Sequence, residues 1–459
     1  MRKVWAVAVN TIKQALRMKI AAAFTLLLLV LLPVMGFEMT GDGTLKGRLQ
    51  TFVSYGLSLT SFLLCLFTVI VSVYTLTNDL NRRQIYTVLT KPIRRYQLIL
   101  GKLLGVILVD TMLLILFSAI IYAVTIYMPR FVRADKQTLA DVDNQFYTAR
   151  ASLRPAEADV SREVEQEYQK LRKSSQLPAG LEQNMPAQRN YKKEIERRIK
   201  LRKRAVRPGG ELLWQFYNVK PLDSRQNLFV RFKYDVSANP PDLMIYGRWI
   251  IGDDRQLSYA AGIETPIYRA DRKDLIRTFY EIQVPADAVA EDGYLGVDFI
   301  NPPINNTVVI FPPKEGIEVL YKADTFTANF IRAVMLILIR LIFLAVLGLL
   351  AAAFLSFPVA ILLCLSVFLT ANISGFILES FEYVAKELSG VYNSVFKSLI
   401  QLLPQFDKFS TSRFLVPGRL LSWSLLGKLA LSTLCIKTLL LLLLAMLIFS
   451  RREVAKVTV

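Results

Sequence analysis

Side chains able to do acid–base, nucleophilic or metal chemistry are scarce in this sequence. Its 459 residues include no histidine, and its three cysteines, Cys65, Cys364 and Cys435, all lie in apolar runs. This usage excludes histidine-based catalysis, zinc sites that need histidine or cysteine of a soluble domain, and disulfides outside the apolar runs. No nucleophile–base pair or paired-carboxylate motif rises above chance. We therefore predict no catalytic residue, no metal ligand and no enzymatic activity in this chain.

Two Gly-Lys pairs raise the question of nucleotide binding. A phosphate-binding loop needs Gly-x-x-x-x-Gly-Lys-[Ser/Thr], because backbone amides and the lysine together hold the phosphates. Tyr96 stands where the first glycine is required before Gly101, and Ser422 stands there before Gly427. The chain therefore has no such loop and no predicted cofactor of its own.

Four ionisable residues, Asp110, Arg340, Glu379 and Lys437, lie in or beside apolar runs. A charge at the centre of a bilayer costs at least about 2.5 to 3.5 kcal/mol, so each should pair, face a cavity or reach the interface. Asp110 and Arg340 are expected to reach an interface. Lys437 lies in the middle of its run and is the candidate for a residue of a translocation path, although a structural pair with a carboxylate explains it equally well.

Six apolar runs are long enough to position these residues inside a membrane. A hydrocarbon core of about 30 Å needs roughly 20 apolar residues per helix. The runs are Ile20–Phe37, Tyr55–Leu76, Leu103–Met128, Ala333–Leu355, Pro358–Leu378 and Leu429–Phe449. Pro358 suits the first turn of a helix, so the fourth and fifth runs are predicted to form a tight hairpin. The first run is too long for a signal peptide and lacks a cleavage site after it.

The net charge of +19 is concentrated in the apolar half of the chain. Residues 129–326 carry 31 basic and 28 acidic residues, whereas the rest of the chain carries 25 basic and 9 acidic ones. The excess lies before the first run, in 77–102 and after the sixth run, which are alternate loops on one side of a six-span protein. The positive-inside rule places them, and both termini, in the cytoplasm, and it places 129–326 outside. We therefore predict membrane lipids rather than nucleic acid as the partner of the basic residues.

The segments between the runs predict four further units. Trp5, Val9, Ile12 and Leu16 recur at helical spacing, which predicts an interfacial helix over 1–19. Residues 129–210 are charged and rich in helix formers, with a break at "LPAGLEQNMP", which predicts a helical hairpin. Short β-rich runs separated by turn residues over 211–326 predict an antiparallel β-sandwich. Apolar residues at helical intervals in 379–424 predict short helices at the outer surface.

The segment 77–102, "TNDLNRRQIYTVLTKPIRRYQLILGK", carries six basic residues and one acid. A solvated loop would explain the charge, but it would not explain the apolar residues between the arginines, which are typical of a protein contact. The segment resembles the coupling region between the second and third spans of ABC-2 type transporter permeases. The matching positions are Thr87, Leu89, Thr90, Lys91, Pro92, Ile93, Arg95, Leu100, Gly101 and Lys102, and Asp79 stands where many members have glutamate.

This resemblance covers roughly 1–128 and 328–459 and implies a fold, a function and partners. The fold is a mainly α membrane protein with six transmembrane helices, over 20–128 and 327–459, and an extracytoplasmic insertion. The function is that of a permease subunit, of exporter type, that docks a separate ABC ATPase, which binds ATP and Mg²⁺. The implied docking residues are Asp79, Arg82, Arg83, Ile85, Tyr86, Leu89, Lys91, Pro92 and Arg95.

The resemblance also implies a homodimer, or a pair with a homologous permease, in the bacterial cytoplasmic (inner) membrane. A function of another class stays open from the residues alone. The chain would then be a non-transporting scaffold or sensor whose outer β-sandwich binds a ligand or partner. Co-purification of an ATPase subunit discriminates between the two.

Overall fold

The computed structural model of the chain describes most of its residues. The described residues are 2–81, 94–132, 135–156, 159–174, 177, 185–222, 226–258, 265–313, 315–384, 400 and 403–451. They form two compact units. We call Met1–Ala149 with Thr325–Val459 the membrane unit, and Arg150–Asp324 the inserted domain.

The helices account for the membrane unit and for part of the inserted domain. They are α1 (Arg2–Leu16), α2 (Lys19–Glu38), α3 (Leu45–Asn81), α4 (Arg95–Phe131), α5 (Lys136–Gln145), α6 (Ser161–Lys173), α7 (Met185–Arg202), α8 (Arg255–Ser258), α9 (Phe326–Phe354), α10 (Phe357–Val384), α11 (Ser412–Leu415), α12 (Trp423–Ala430) and α13 (Leu439–Arg451). A π-helical segment, Leu431–Thr438, joins α12 to α13.

Six helices of the described residues are long and apolar enough to cross a membrane. They are α2, α3, α4, α9, α10 and the continuous stretch Trp423–Arg451. Each coincides with one of the six predicted runs, of which only the fourth extends beyond its helix, by one residue, Leu355. The hairpin between α9 and α10 is as tight as predicted, because α9 ends at Phe354 and α10 begins at Phe357. The number and order of the predicted spans are therefore confirmed.

Helix α1 packs on its small residues. Val7, Ala8, Thr11 and Ala15 are buried, whereas Trp5 and Leu16 are more than half exposed. The helix thus has a third face, of small residues, between the apolar and the polar faces that its sequence predicts.

Strands build most of the inserted domain. They are β1 (Thr148–Leu153), β2 (Ala205–Val206), β3 (Glu211–Phe216), β4 (Asn227–Phe232), β5 (Asp235–Val236), β6 (Met244–Gly252), β7 (Tyr268–Leu275), β8 (Tyr280–Pro285), β9 (Leu295–Ile300), β10 (Val309–Ile310) and β11 (Ile317–Thr325). Two four-stranded sheets have the orders β1-β11-β4-β8 and β3-β9-β6-β7, and β2-β10-β5 forms a smaller third sheet. Strand pairs with a defined register, such as β4–β8 and β6–β9, are antiparallel.

An aromatic core joins the two larger sheets into a sandwich. Phe232 of β4 lies 4.3 Å, between ring centroids, from Trp249 of β6, which lies 4.8 Å from Phe299 of β9. All three side chains are fully buried. Burial alternates from β4 into β5, because Val230, Phe232, Tyr234 and Val236 are buried and the residues between them are partly exposed.

Helices α6 and α7 form the predicted helical hairpin. A small apolar cluster that includes Val164, Tyr168, Ile195 and Ile199 lies between them. Their outer faces carry ion pairs such as Lys192–Glu165 at 2.6 Å. The hairpin is therefore amphipathic and buries an apolar stripe of its own.

Candidate functional site

The segment predicted to dock an ATPase joins the end of α3 to the start of α4. Asp79 lies in the last turn of α3, and Arg95 is the first residue of α4. The other predicted docking residues, Arg82, Arg83, Ile85, Tyr86, Leu89, Lys91 and Pro92, lie outside the described residues. The structure thus describes the two ends of the segment.

A buried ion pair holds these two helices together at the base of the segment. Lys102 Nζ of α4 lies 2.6 Å from Asp79 Oδ2 of α3, and the two side chains are 1% and 8% exposed. Lys102 also donates to the carbonyl oxygen of Thr75 at 2.6 Å. Because a buried charge needs both an opposite charge and further hydrogen bonds, these contacts explain how a lysine lies at the α3–α4 interface.

Helix α1 joins the same cluster. Gln14 Nε2 donates to Asp79 Oδ1 at 3.1 Å, so the carboxylate receives hydrogen bonds or ionic contacts from α1 and α4 together. Sequence reasoning missed Gln14 and Thr75 and included Lys102 only as part of the matched motif. The signal that could have found the pair is one acid and one lysine flanking the same loop in otherwise apolar helices.

Two glycines let α1 approach α4 closely. A Cβ built at Gly101 would lie 2.5 Å from Val7 Cβ, and one built at Gly105 would lie 2.6 Å from Thr11 Cβ. Both distances are shorter than any ordinary carbon contact, so the crossing requires glycine at these positions. The "GKLLG" spacing puts the two glycines on one face of α4, as in close helix pairs of membrane proteins.

Arg95 makes hydrogen bonds to another helix of the same chain. Its Nη1 donates to the carbonyl oxygens of Ser450 at 2.6 Å and of Phe449 at 3.3 Å. These carbonyls belong to the last turn of α13, where backbone acceptors lack helical partners. Arg95 therefore connects the start of α4 to the end of the sixth span, in addition to any role in docking.

Asp110 and Arg340 each make hydrogen bonds within the membrane unit. Asp110 is 1% exposed, and its Oδ2 accepts from Thr68 Oγ1 at 2.9 Å. Arg340 Nη2 donates to the carbonyl oxygens of Phe406 and Phe409 at 2.7 and 2.6 Å. Both side chains find local partners, because the helices and the segment before α11 bring polar groups to them at depth. Of Glu379, only the helical backbone is described.

Lys437 lines a cavity of about 180 Å³ in the membrane unit. Its Nζ donates to the carbonyl oxygen of Leu403 at 2.8 Å, and Arg340 lines the same cavity. Lys437 lies in the π-helical segment, where Thr438 Oγ1 bonds the carbonyl oxygen of Thr433, five residues earlier. Such π-helical turns occur often at functional sites. The two cations were predicted separately, and the structure brings them together.

The segment that carries these carbonyls reaches deep among the helices. The amide of Phe406 bonds the carbonyl oxygen of Ala371, near the middle of α10, and Asp407 Oδ2 accepts from the Phe376 amide at 3.1 Å. In the described part of 379–424 after α10, α11 is the short helix that precedes α12. Residues 403–409 thus contact the middle of three helices, unlike the surface helices that the sequence predicts.

The inserted domain places its tryptophans in the core. Trp214 and Trp249 are 6% and 0% exposed and stack with ring centroids 6.4 Å apart. Tyr246 is 42% exposed, and the ammonium of Lys273 lies 4.8 Å from the centroid of its ring. The described residues contain no cluster of three or more potential metal ligands.

Comparison with known proteins identifies the family of the amino-terminal part. Residues 5–145 match the family model of ABC-2 family transporter proteins, a range that begins within α1 and ends with α5. No curated protein matches the chain, and no solved structure matches it. The matched region is therefore similar to ABC-2 family transporter proteins, and together with the six membrane-capable helices it supports a multi-pass membrane protein with a permease-like amino-terminal part.

Proposed function

We propose that this chain is the membrane half of an exporter, and that a separate ATPase docks on 77–102. The family match supports a transporter with a partner ATPase in general. The absence of a phosphate-binding loop from the sequence requires that ATP and Mg²⁺ bind elsewhere. The proposed complex contains two permease chains, identical or homologous, in a bacterial cytoplasmic membrane, with both termini in the cytoplasm.

The Asp79–Lys102 pair is the observation that carries the docking assignment. A docking surface transmits force only if its two ends move with the spans behind it. The buried pair fixes α3 to α4 directly below the segment, and Gln14 attaches α1 to the same point. Displacement of the segment by an ATPase would therefore move three helices as one body.

Association with an ATPase tests this proposal. The chain is purified from membranes of its native host, and the co-purifying ABC ATPase is measured. Tyr86→Asp with Leu89→Asp should abolish capture, because two carboxylates would enter an apolar contact. Tyr217→Asp with Leu222→Asp is the matched control, since both of these side chains are 59% exposed on the inserted domain.

The outcomes distinguish docking on 77–102 from docking elsewhere and from a scaffold or sensor function. Capture that is lost only in the Tyr86/Leu89 variant supports the assignment. Equal capture by both variants would move the docking surface elsewhere. If the unmodified chain captures no ATPase at all, the scaffold or sensor function replaces the transporter.

A further inference from the structure

A second cavity of the membrane unit, of about 580 Å³, lies where the ends of three helices meet. The turn between α1 and α2 contributes Arg17, Met18 and Lys19 to its lining, and α10 contributes its first residue, Phe357. The last turn of α3 contributes Asn78. Because α2 and α10 begin here and α3 ends here, the cavity lies near one surface of the membrane. Its volume is within the roughly 300 to 1,000 Å³ of typical ligand pockets.

Two basic side chains line this cavity from the same short turn. Arg17 follows the last residue of α1, and Lys19 is the first residue of α2. Both side chains are exposed, so neither charge is buried in the bundle. A lysine or arginine at a membrane surface attracts anionic lipids, and each one strengthens binding about fivefold.

The sequence at the end of α3 adds positive charge rather than negative charge. Asp79 follows Asn78, but its carboxylate contacts Lys102 Nζ at 2.6 Å and accepts from Gln14 Nε2 at 3.1 Å. The sequence 82–93, which follows α3, contains three basic residues and no acidic one. The electrostatic environment of Arg17 and Lys19 therefore favours an anionic ligand.

The same cavity combines hydrogen-bond donors with apolar side chains. Tyr74 and Asn78 lie one turn apart on α3 and offer a hydroxyl group and an amide group. Ile20, Ile70 and Phe357 form an apolar part of the lining, and the rings of Phe357 and Tyr74 lie 6.2 Å apart between centroids. A free phosphate would leave this apolar part exposed to water, whereas the ester region of a phospholipid would cover it.

We propose that this cavity binds the phosphodiester head of an anionic glycerophospholipid from the adjacent leaflet. Arg17 and Lys19 contact the phosphate, and Tyr74 and Asn78 donate hydrogen bonds to the head group. The ester region of the lipid lies against the apolar part of the lining. The bound lipid would join the turn after α1 to α3 and α10. This site does not depend on the proposed docking of an ATPase.

Thermal stability of the full chain tests this site. The chain in neutral detergent is titrated with phosphatidylglycerol, with phosphatidylcholine of the same acyl chains and with soluble glycerol 3-phosphate. Phosphatidylglycerol should raise Tm in a saturable manner, because a ligand of the folded state stabilises it. Phosphatidylcholine should have a weaker effect, because its trimethylammonium group would approach two cations. Glycerol 3-phosphate should have no effect at the same concentrations.

Three variants locate the effect. Arg17→Gln with Lys19→Gln should raise the half-saturating concentration of phosphatidylglycerol about 25-fold, the product of two fivefold losses. Arg2→Gln with Lys13→Gln is the matched control, because it removes two exposed cations of α1 that do not line the cavity. Ile20→Trp fills the cavity with both charges intact and should abolish the saturable rise.

An unchanged half-saturating concentration in the Arg17/Lys19 variant would overturn the proposal. An equal increase in the Arg2/Lys13 control would also overturn it, since attraction by the overall charge would then explain the binding. Equal effects of the two lipids would exclude an anionic head group, and a rise produced by glycerol 3-phosphate would replace the lipid by a soluble phosphate. If the Arg17/Lys19 variant does not fold, loss of the rise in Ile20→Trp supports the cavity, and its persistence decides against it.

Discussion

Lys102 illustrates how a charged residue can lie inside a helix bundle. Its ammonium group is almost completely enclosed and contacts one carboxylate and one backbone carbonyl. Removing one partner of a buried pair commonly costs about 3 to 5 kcal/mol, because the other charge remains desolvated. The pair therefore specifies the register of α3 against α4.

We predict that Lys102→Met lowers the Tm of the chain strongly and that Lys102→Met with Asp79→Leu recovers much of the loss. The single change leaves the Asp79 carboxylate buried without its cation, whereas the double change leaves no charge. Thermal unfolding in detergent measures both. Lys192→Met is the control, because its pair with Glu165 is exposed and such pairs contribute about 0 to 1 kcal/mol. A double variant no more stable than the single one would refute the coupling.

Arg255 organises a charged cluster in the inserted domain. It donates to both carboxylate oxygens of Asp253 at 2.8 Å and to those of Asp292 at 2.7 and 3.1 Å. The Arg255 hydrogen bonds hold the pKa of Asp253 and of Asp292 below the usual range. The cluster joins the chain after β6 to the chain before β9.

The stability of the inserted domain should therefore fall in acid. The folded carboxylates stay ionised at pH values where the unfolded chain already binds protons. The stabilisation is complete above the ordinary Asp pKa of about 3.9 and is lost as pH falls through the lower folded pKa values. Tryptophan fluorescence of Trp214 and Trp249, with Trp5 and Trp423 replaced by Phe, measures Tm against pH.

Arg255→Gln should flatten this pH dependence. Arg248→Gln should leave it unchanged, because the Arg248–Asp271 pair is 55% and 70% exposed. The same slope in both variants would contradict the assignment to the Arg255 cluster.

At the scale of elements, the contact of α1 with α4 depends on Gly101 and Gly105. Gly101→Ala would place a methyl group 2.5 Å from Val7 Cβ, so α1 must move away. Overpacking of this kind costs about 1 to 3 kcal/mol. We predict a lower Tm and faster tryptic cleavage after Lys13 and Arg17. Gly427→Ala is the control because its Cβ would meet nothing within 4 Å. Equal behaviour of the two variants would show that the crossing tolerates a side chain.

An element can be predicted from the sequence when its pattern of apolar and polar residues distinguishes it from its neighbours. The six spans are marked by length and apolarity, and the sequence predicts their order correctly. Strand β7, whose sequence is "YRADRKDL", escapes prediction because it is an edge strand on which charged residues replace the usual apolar ones. Edge strands of this kind carry little of the hydrophobic alternation on which strand prediction depends.

Strand β1, "TARASL", escapes prediction because it lies within a charged region of helix formers. Its pairing with β11 spans more than 160 residues of sequence, and no local pattern encodes such a contact. The contacts of Arg340 and Lys437 with 403–409 could not be predicted for the same reason.

At the scale of the molecule, the proposed topology places the inserted domain outside the cytoplasm. We predict that a cysteine at Ser174, an exposed position, reacts with an impermeant maleimide in cells with a permeabilised outer membrane. A cysteine at Gln84 should react only after lysis. Both are tested in a chain whose three native cysteines are replaced. The reverse labelling pattern would invert the topology.

The compact inserted domain, Arg150–Asp324, lies within the predicted extracytoplasmic range 129–326. Helix α5 and its neighbours belong to the membrane unit, where Val142 and Phe146 are buried in the main apolar core. We predict that replacing 150–324 by a short Gly-Ser linker preserves capture of the ATPase and impairs transport. Loss of capture in a correctly inserted deletion protein would show that the domain is required for assembly.

Because β1 and β11 are neighbouring strands, the inserted domain could be replaced by another domain. The chain enters the domain along β1 and leaves it along β11, and paired strands lie only about 5 Å apart. Any domain whose ends are equally close could be exchanged at this junction without a new path for the flanking helices. The chain therefore has a natural grafting point, at which a fluorescent or ligand-binding domain could replace the present one.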